Sequence, residues 1–82
     1  MKVRISIFLK EGVLDTQGKA IEGSLVKDLG FADVSKVRQG KLIDLEIAKD
    51  NQDEVSRIVD EVCDKLLVNQ VIEDYTFEVI EK

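Results

Sequence analysis

Few side chains in this 82-residue chain could take part in covalent or proton-transfer chemistry, and their spacing narrows the field further. There is no histidine, so the only side chain that titrates near neutrality without perturbation is missing, along with the usual metal ligand. The single cysteine, Cys63, cannot form an internal disulfide; with the acidic Asp64 beside it, it reads as core filling and not as a thiolate nucleophile. Glu73 and Asp74 are neighbouring carboxylates, as paired acid/base work requires. Consecutive residues of a strand point to opposite faces, however, so a solvated strand edge is the simpler reading. Arg38 and Lys41 could grip an anionic partner or a phosphate, or serve as ordinary solubilising charge. The glycines Gly12, Gly18, Gly23, Gly30 and Gly40 match neither of the glycine-rich patterns that cradle phosphates, and the acidic residues lack the spacing of a calcium loop. No catalytic, cofactor-binding or metal site is expected in this chain.

The length allows one domain, residues 1–82, near the lower limit for folding without disulfides, metals or partner subunits. Hydrophobic residues make up 44% and charged residues 35%, enough for a single core with a solvated surface. The net charge is −5, from 17 acidic and 12 basic residues spread along the chain, and no basic stripe is present. Nucleic acid is therefore a poor partner. No apolar run approaches the roughly 20 residues of a membrane span, which points to a cytoplasmic protein with no membrane association.

Any function must be carried by the elements that hold these residues. From Lys2 to Lys10 apolar and polar residues alternate, placing Val3, Ile5, Ile7 and Leu9 on one face of a strand. Phe8 breaks the pattern from the polar face, either as a tolerated exposed aromatic or as part of a partner surface. Asp15 can cap a helix running to about Leu29, with Leu14, Ile21, Leu25 and Leu29 as the sheet-facing stripe and Gly30 as the left-handed residue beyond its end. Gly18 and Gly23 inside that helix are either tolerated surface glycines or places where another backbone comes close. Val34–Arg38 reads as a second strand, Gln39-Gly40 as a tight turn, and Lys41–Ala48 as a third strand. A two-residue turn would pair Val37 with Leu42 on the outer face, where Phe8 also lies. Asn51 and Glu54 have capping-box spacing before a second helix whose stripe is Val55, Ile58, Val59, Val62, Leu66 and Leu67. Asn69 can end it in the left-handed region, and Val71–Ile80 forms the last strand, with Tyr75, Phe77 and Val79 on one face and Thr76, Glu78 and Ile80 on the other. The simplest solution is α+β: a ferredoxin-like βαββαβ two-layer sandwich, an antiparallel sheet of order 4-1-3-2 with both helices on one face. The bare outer face, with Phe8, Val37, Leu42 and Ile80 among charges including Arg38 and Lys41, is the candidate surface for oligomerisation.

Three stretches carry a family resemblance: LKEGVLDTQGKAI at Leu9–Ile21, VRQGK at Val37–Lys41, and CDKLLVNQVIEDYTFEV at Cys63–Val79. In this order, in a chain this short, they resemble PurS, the small-subunit family of phosphoribosylformylglycinamidine synthase. Thr16 and Gln70 depart from it where the family often has proline, which bears on two turns and on no side-chain chemistry. The resemblance implies a non-catalytic role in a carbon–nitrogen ligase complex of purine biosynthesis that uses glutamine as amide donor. PurQ-type subunits of that complex hydrolyse glutamine, and PurL-type subunits activate the amide with ATP and magnesium. PurS-type subunits, as a dimer or dimer of dimers, help join the two so that ammonia passes between them. On topology alone, a small-molecule-sensing domain of ACT type and an acylphosphatase-like enzyme share the element order, but the anion-binding loop of the latter is not found here.

Overall fold

The computed structural model describes residues 1–82. Strand β1, Lys2–Leu9, lies at the centre of a three-stranded antiparallel sheet, between β2, Lys41–Glu46, and β3, Glu73–Glu81. Its alternation does what the sequence predicts: Val3, Ile5 and Ile7 are fully buried, while Phe8 is exposed on the other face. Across the sheet Ile43 and Phe77 flank Ile5, and Leu45 and Val79 flank Val3, so one continuous apolar face is built. Helix α2, Gln52–Val62, covers it with Val55 and Val59, and the π-type turn that continues the helix adds Cys63. Asn51 caps α2 as expected, its side-chain oxygen accepting from the amides of Asp53 and Glu54 at 2.9 and 3.2 Å. At the far end Val68 turns extended and terminates the helix, so Asn69 has no left-handed role. Instead the Asn69 carbonyl accepts from the amides of Ile72 and Glu73 and so closes the turn into β3.

The largest departure from expectation lies between β1 and β2. Helix α1, Thr16–Gly23, is capped by Asp15 and widens into a π-type turn, Ser24–Asp28, before Gly30 adopts the left-handed conformation at φ +77°. The predicted stripe does not meet the sheet: Leu14, Ile21 and Leu29 are exposed, and Gly18 is the only buried residue from 10 to 40. Only α2 lies on the sheet, so the expectation of two helices on one face is corrected. Val34–Arg38 is likewise not a strand, and Gln39-Gly40 makes no hairpin turn. Lys36 has φ +56°, which breaks an extended run, and the amides of Val37 and Gln39 donate to the carboxylates of Glu22 and Asp15 in place of a neighbouring strand.

Residues 10–40 thus form an arm that leaves the sheet beside the C-terminus of β1 and returns beside the N-terminus of β2. The chain measures 48 × 27 × 14 Å with a radius of gyration of 16.1 Å, where a compact domain of this length would have about 12 Å. The sheet order β2-β1-β3 reproduces the 3-1-4 part of the expected order, and the outer edge of β2, where the second strand was expected, is open. The molecule is a ferredoxin-like α+β chain whose first helix, and the segment 34–38 where a second strand was expected, are held away from the sheet.

Candidate functional site: a partner surface at the base of the arm

The groups singled out as possible chemistry are each held in a definite way. Cys63 is fully buried, and burial, aided by Asp60, pushes its thiol above the ordinary range. Tyr75 donates to Asp60 at 2.7 Å; that hydrogen bond and partial burial push its phenol up to about 12. No three acidic or cysteine side chains stand close enough to hold a metal ion. Glu73 and Asp74 point to opposite faces, as consecutive strand residues must. Asp74 reaches Lys10 on the outer face at 2.8 Å. Glu73 is buried, contrary to the solvated edge expected of it: its carboxylate accepts from the Asn69 amide at 2.8 Å and pairs with Lys41 at 3.0 Å. The Asn69 amide, and then Lys41, hold its pKa below the usual range.

The six candidate interface residues do not form one patch. Phe8, Arg38 and Leu42 come together with Ser6, Ile21 and Gly40 around a groove of about 350 Å³ on the outer side of the sheet, at the base of the arm. The Arg38 guanidinium lies 5.8 Å from the centre of the Phe8 ring, donates to the Leu9 carbonyl and sits 3.8 Å from Glu11. Lys41 edges the same groove, but its ammonium turns to the helix-covered face to reach Glu73, since Lys41 stands opposite the inward-facing Ile7. Val37 is half-buried against α1 and does not pair with Leu42, because the hairpin that would have paired them is absent. Ile80 lies at the opposite end of the sheet, where a register irregularity between Lys2 and Val3 leaves it without a direct partner on β1.

Two residues give the groove its shape. A Cβ on Gly40 would stand 2.5 Å from the Ile7 carbonyl oxygen and 2.6 Å from the Phe8 ring, so only glycine lets the returning chain lie this close to β1. Asp15, read from sequence only as a helix cap, accepts from the amide of Gly18 at 2.9 Å and from that of Gln39 at 2.7 Å. These bonds, that to Gln39 foremost, hold its carboxyl below the ordinary range. The second acceptor role, like that of Glu22 toward Val37, joins residues distant in sequence and leaves no local pattern to read. Gly18 packs where the sequence had left two readings open: a Cβ there would lie 2.6 Å from the Val37 carbonyl oxygen, whereas Gly23 has open space around it.

The fold and site define a small α+β chain whose exposed apolar side chains include Phe8, Ile21 and Leu42 around one groove. The chain matches the family model "PurS: Phosphoribosylformylglycinamidine (FGAM) synthase" over residues 2–81, and it belongs to the PurS family, whose members are subunits of that synthase. It is 45% identical to the PurS subunit of Bacillus subtilis over 80 residues, 98% of this chain and 93% of the relative. The solved structure of Methanocaldococcus jannaschii PurS, described as one of the subunits of formylglycinamide ribonucleotide amidotransferase, superposes with a TM-score of 0.81 at 40% identity, covering 94% of this chain and 92% of that one. The Thermotoga maritima purS subunit, and a chain in the structure of PurLQS from the same organism, each give 0.86 at 36% identity and cover 94% of this chain, with 87% and 93% of their own lengths. Residues 10–40 are more than a third of the chain, so scores of this size require the extended arm to superpose as well as the sheet.

Proposed function

We propose that this chain is the non-catalytic assembly subunit of a glutamine- and ATP-dependent phosphoribosylformylglycinamidine synthase, joining a PurQ-type glutaminase to a PurL-type synthetase. The observation that carries the reading is the fit of a chain from PurLQS to nearly the whole of this one, arm included. The absence of an available nucleophile or proton shuttle agrees with it: neither glutamine hydrolysis nor amide activation has residues here to perform it. ATP and magnesium belong to the PurL-type partner, and the working location is the cytoplasm, consistent with the finding that no helix is long and apolar enough to cross a membrane.

What such a subunit supplies is physical containment. Ammonia released into water near neutral pH is mostly protonated and loses its nucleophilic lone pair, so a route walled by protein from one site to the next preserves it. This chain contributes surface to that enclosure through its contacts with the other two subunits and with copies of itself. The Phe8–Leu42 groove, apolar in its floor and edged by Arg38, is the surface assigned to a PurL- or PurQ-type partner. Both residues are exposed in the chain, so replacing them leaves the core intact. Phe8→Lys with Leu42→Lys should abolish co-elution with both partners while circular dichroism is unchanged. Retention of both contacts would remove the groove from the account.

A further inference from the structure

Lys10, Arg38 and Lys41 stand at the base of the arm, and only Arg38 lacks a close carboxylate. Lys41 pairs with Glu73 at 3.0 Å and Lys10 with Asp74 at 2.8 Å, whereas Arg38 reaches Glu11 at 3.8 Å. That separation is too long for a charge-assisted hydrogen bond, and the Glu11 side chain is 99% exposed, so the pair is loose and screened. Of the five N–H donors of a guanidinium, one is used, toward the Leu9 carbonyl. Resting on the assignment of the Phe8–Leu42 groove to a PurL- or PurQ-type subunit, we infer that Arg38 is the specificity-determining residue of that surface. It takes a carboxylate of the incoming subunit, and Glu11 holds the place of that carboxylate until then.

The make-up of the groove sets this requirement. Phe8, Ile21 and Leu42 supply its apolar side chains, no acidic residue lines it, and Arg38, with 41% of its side chain exposed, stands at its edge. A subunit that covers this surface takes Arg38 out of water, and a charge desolvated against apolar or basic groups is costly unless an opposite charge meets it. Glu11 is not among the residues around the groove, so the acceptor must come with the occupant. Pairing groove to groove with a second copy would set two Arg38 side chains about one two-fold axis with no carboxylate from either groove.

Arg38 is prepared for such a contact. Its bond to the Leu9 carbonyl and its place over the Phe8 ring, 5.8 Å from the centre, fix the guanidinium before binding, so little side-chain freedom is lost. An arginine beside an aromatic ring is the kind of residue that carries a large share of interface energy, and its planar fork matches the two oxygens of a carboxylate. The occupant is thus a subunit surface with apolar side chains to meet Phe8, Ile21 and Leu42 and an aspartate, glutamate or C-terminal carboxylate beside them. The same charge rejects a basic surface, so one residue sets both affinity and choice of partner.

Binding of the full chain to purified PurL- and PurQ-type subunits, by calorimetry at low and high salt, tests this together with light scattering of the chain alone. Arg38→Gln should weaken binding to the subunit that occupies the groove by about tenfold or more and flatten its salt dependence, with the mass of the chain alone unchanged. Arg38→Lys keeps the charge without the fork and should fall between the two. Glu11→Gln removes the competing carboxylate and should tighten binding by up to about fivefold. A purely structural role for Arg38 does not predict that gain. Binding unchanged by Arg38→Gln, or unchanged or weakened by Glu11→Gln, would overturn the carboxylate and leave the groove assigned. An altered mass of the Arg38→Gln chain would place a second copy in the groove and overturn the inference. Failure of the natural chain to bind either subunit would overturn the assignment of the groove as well. If Arg38→Gln does not fold, Glu11→Gln, at an exposed side chain, decides by itself.

Discussion

Replacing Glu73 by alanine tests whether the helix-to-strand junction is held from within. The Glu73 carboxylate bridges three segments: the Asn69 amide at the end of the π-type turn at 2.8 Å, Lys41 at the start of β2 at 3.0 Å, and its own strand. Removing it leaves the part-buried Asn69 amide without its acceptor, a loss of about 1–3 kcal/mol in a dry site and toward the low end where water can enter. The pair with Lys41 adds less than about 1 kcal/mol, because the lysine side chain is 59% exposed and its charge is screened. The expected cost is therefore about 1–2 kcal/mol, a fall of about 5–15 °C in Tm for a domain of this length. Glu73→Gln keeps an acceptor for Asn69 and should lose less than half as much; Lys41→Met removes only the screened pair and should cost less than about 1 kcal/mol. Thermal unfolding at one fixed chain concentration reads all three. Because the folded carboxyl titrates below its unfolded value of about 4.3, its contribution is present above that pH and is lost as pH falls through the folded value. The gap between natural chain and alanine variant should therefore narrow in acid. Equal losses for Glu73→Ala and Lys41→Met, or a gap that widens in acid, would refute the assignment.

Other substitutions separate close packing from exposed surface. Gly40→Ala places a methyl group against the Ile7 carbonyl and the Phe8 ring and should cost about 1–3 kcal/mol by urea unfolding, whereas Gly23→Ala, helical and with open space, should stabilise by about 0.5–1 kcal/mol. Ultraviolet titration of the single tyrosine should find its phenol at about 12, not about 10. With the folded value raised, the stability it brings is complete below about 10 and is lost as pH rises toward 12, and Tyr75→Phe should remove that slope.

The parts of this fold legible in the sequence are those whose partners repeat at a fixed period. Val3, Ile5 and Ile7 alternate because one face of β1 is buried, and Val55, Ile58, Val59 and Val62 recur at three and four because α2 lies on that face. Local caps were equally readable at Asp15 and Asn51. The arm was misplaced for a physical reason: Leu14, Ile21, Leu25 and Leu29 do form a stripe, but periodicity reports that a face will be covered, not by which sheet. Val34–Arg38 has strand character, yet the chain's own β2 does not receive it, since Lys36 bends it away, Glu22 takes the Val37 amide and Asp15 takes the amide of Gln39 just beyond it. Phe8 breaks the polar side of its strand and Leu42 was put on the outer face by the expected hairpin; both are exposed, although the hairpin is absent. Glu73 was not, because its burial depends on Asn69 and Lys41 arriving from two other segments.

The proposed role is that of a subunit needed to join two half-reactions performed by its partners. The most direct measurement is the rate of glutamine-dependent phosphoribosylformylglycinamidine synthesis by purified PurL- and PurQ-type subunits, with ATP and magnesium, with and without this chain at equal concentration. Omission should lower the rate by about tenfold or more, about 1.4 kcal/mol of barrier, and adding the chain back should restore it. An unchanged rate in its absence would contradict it.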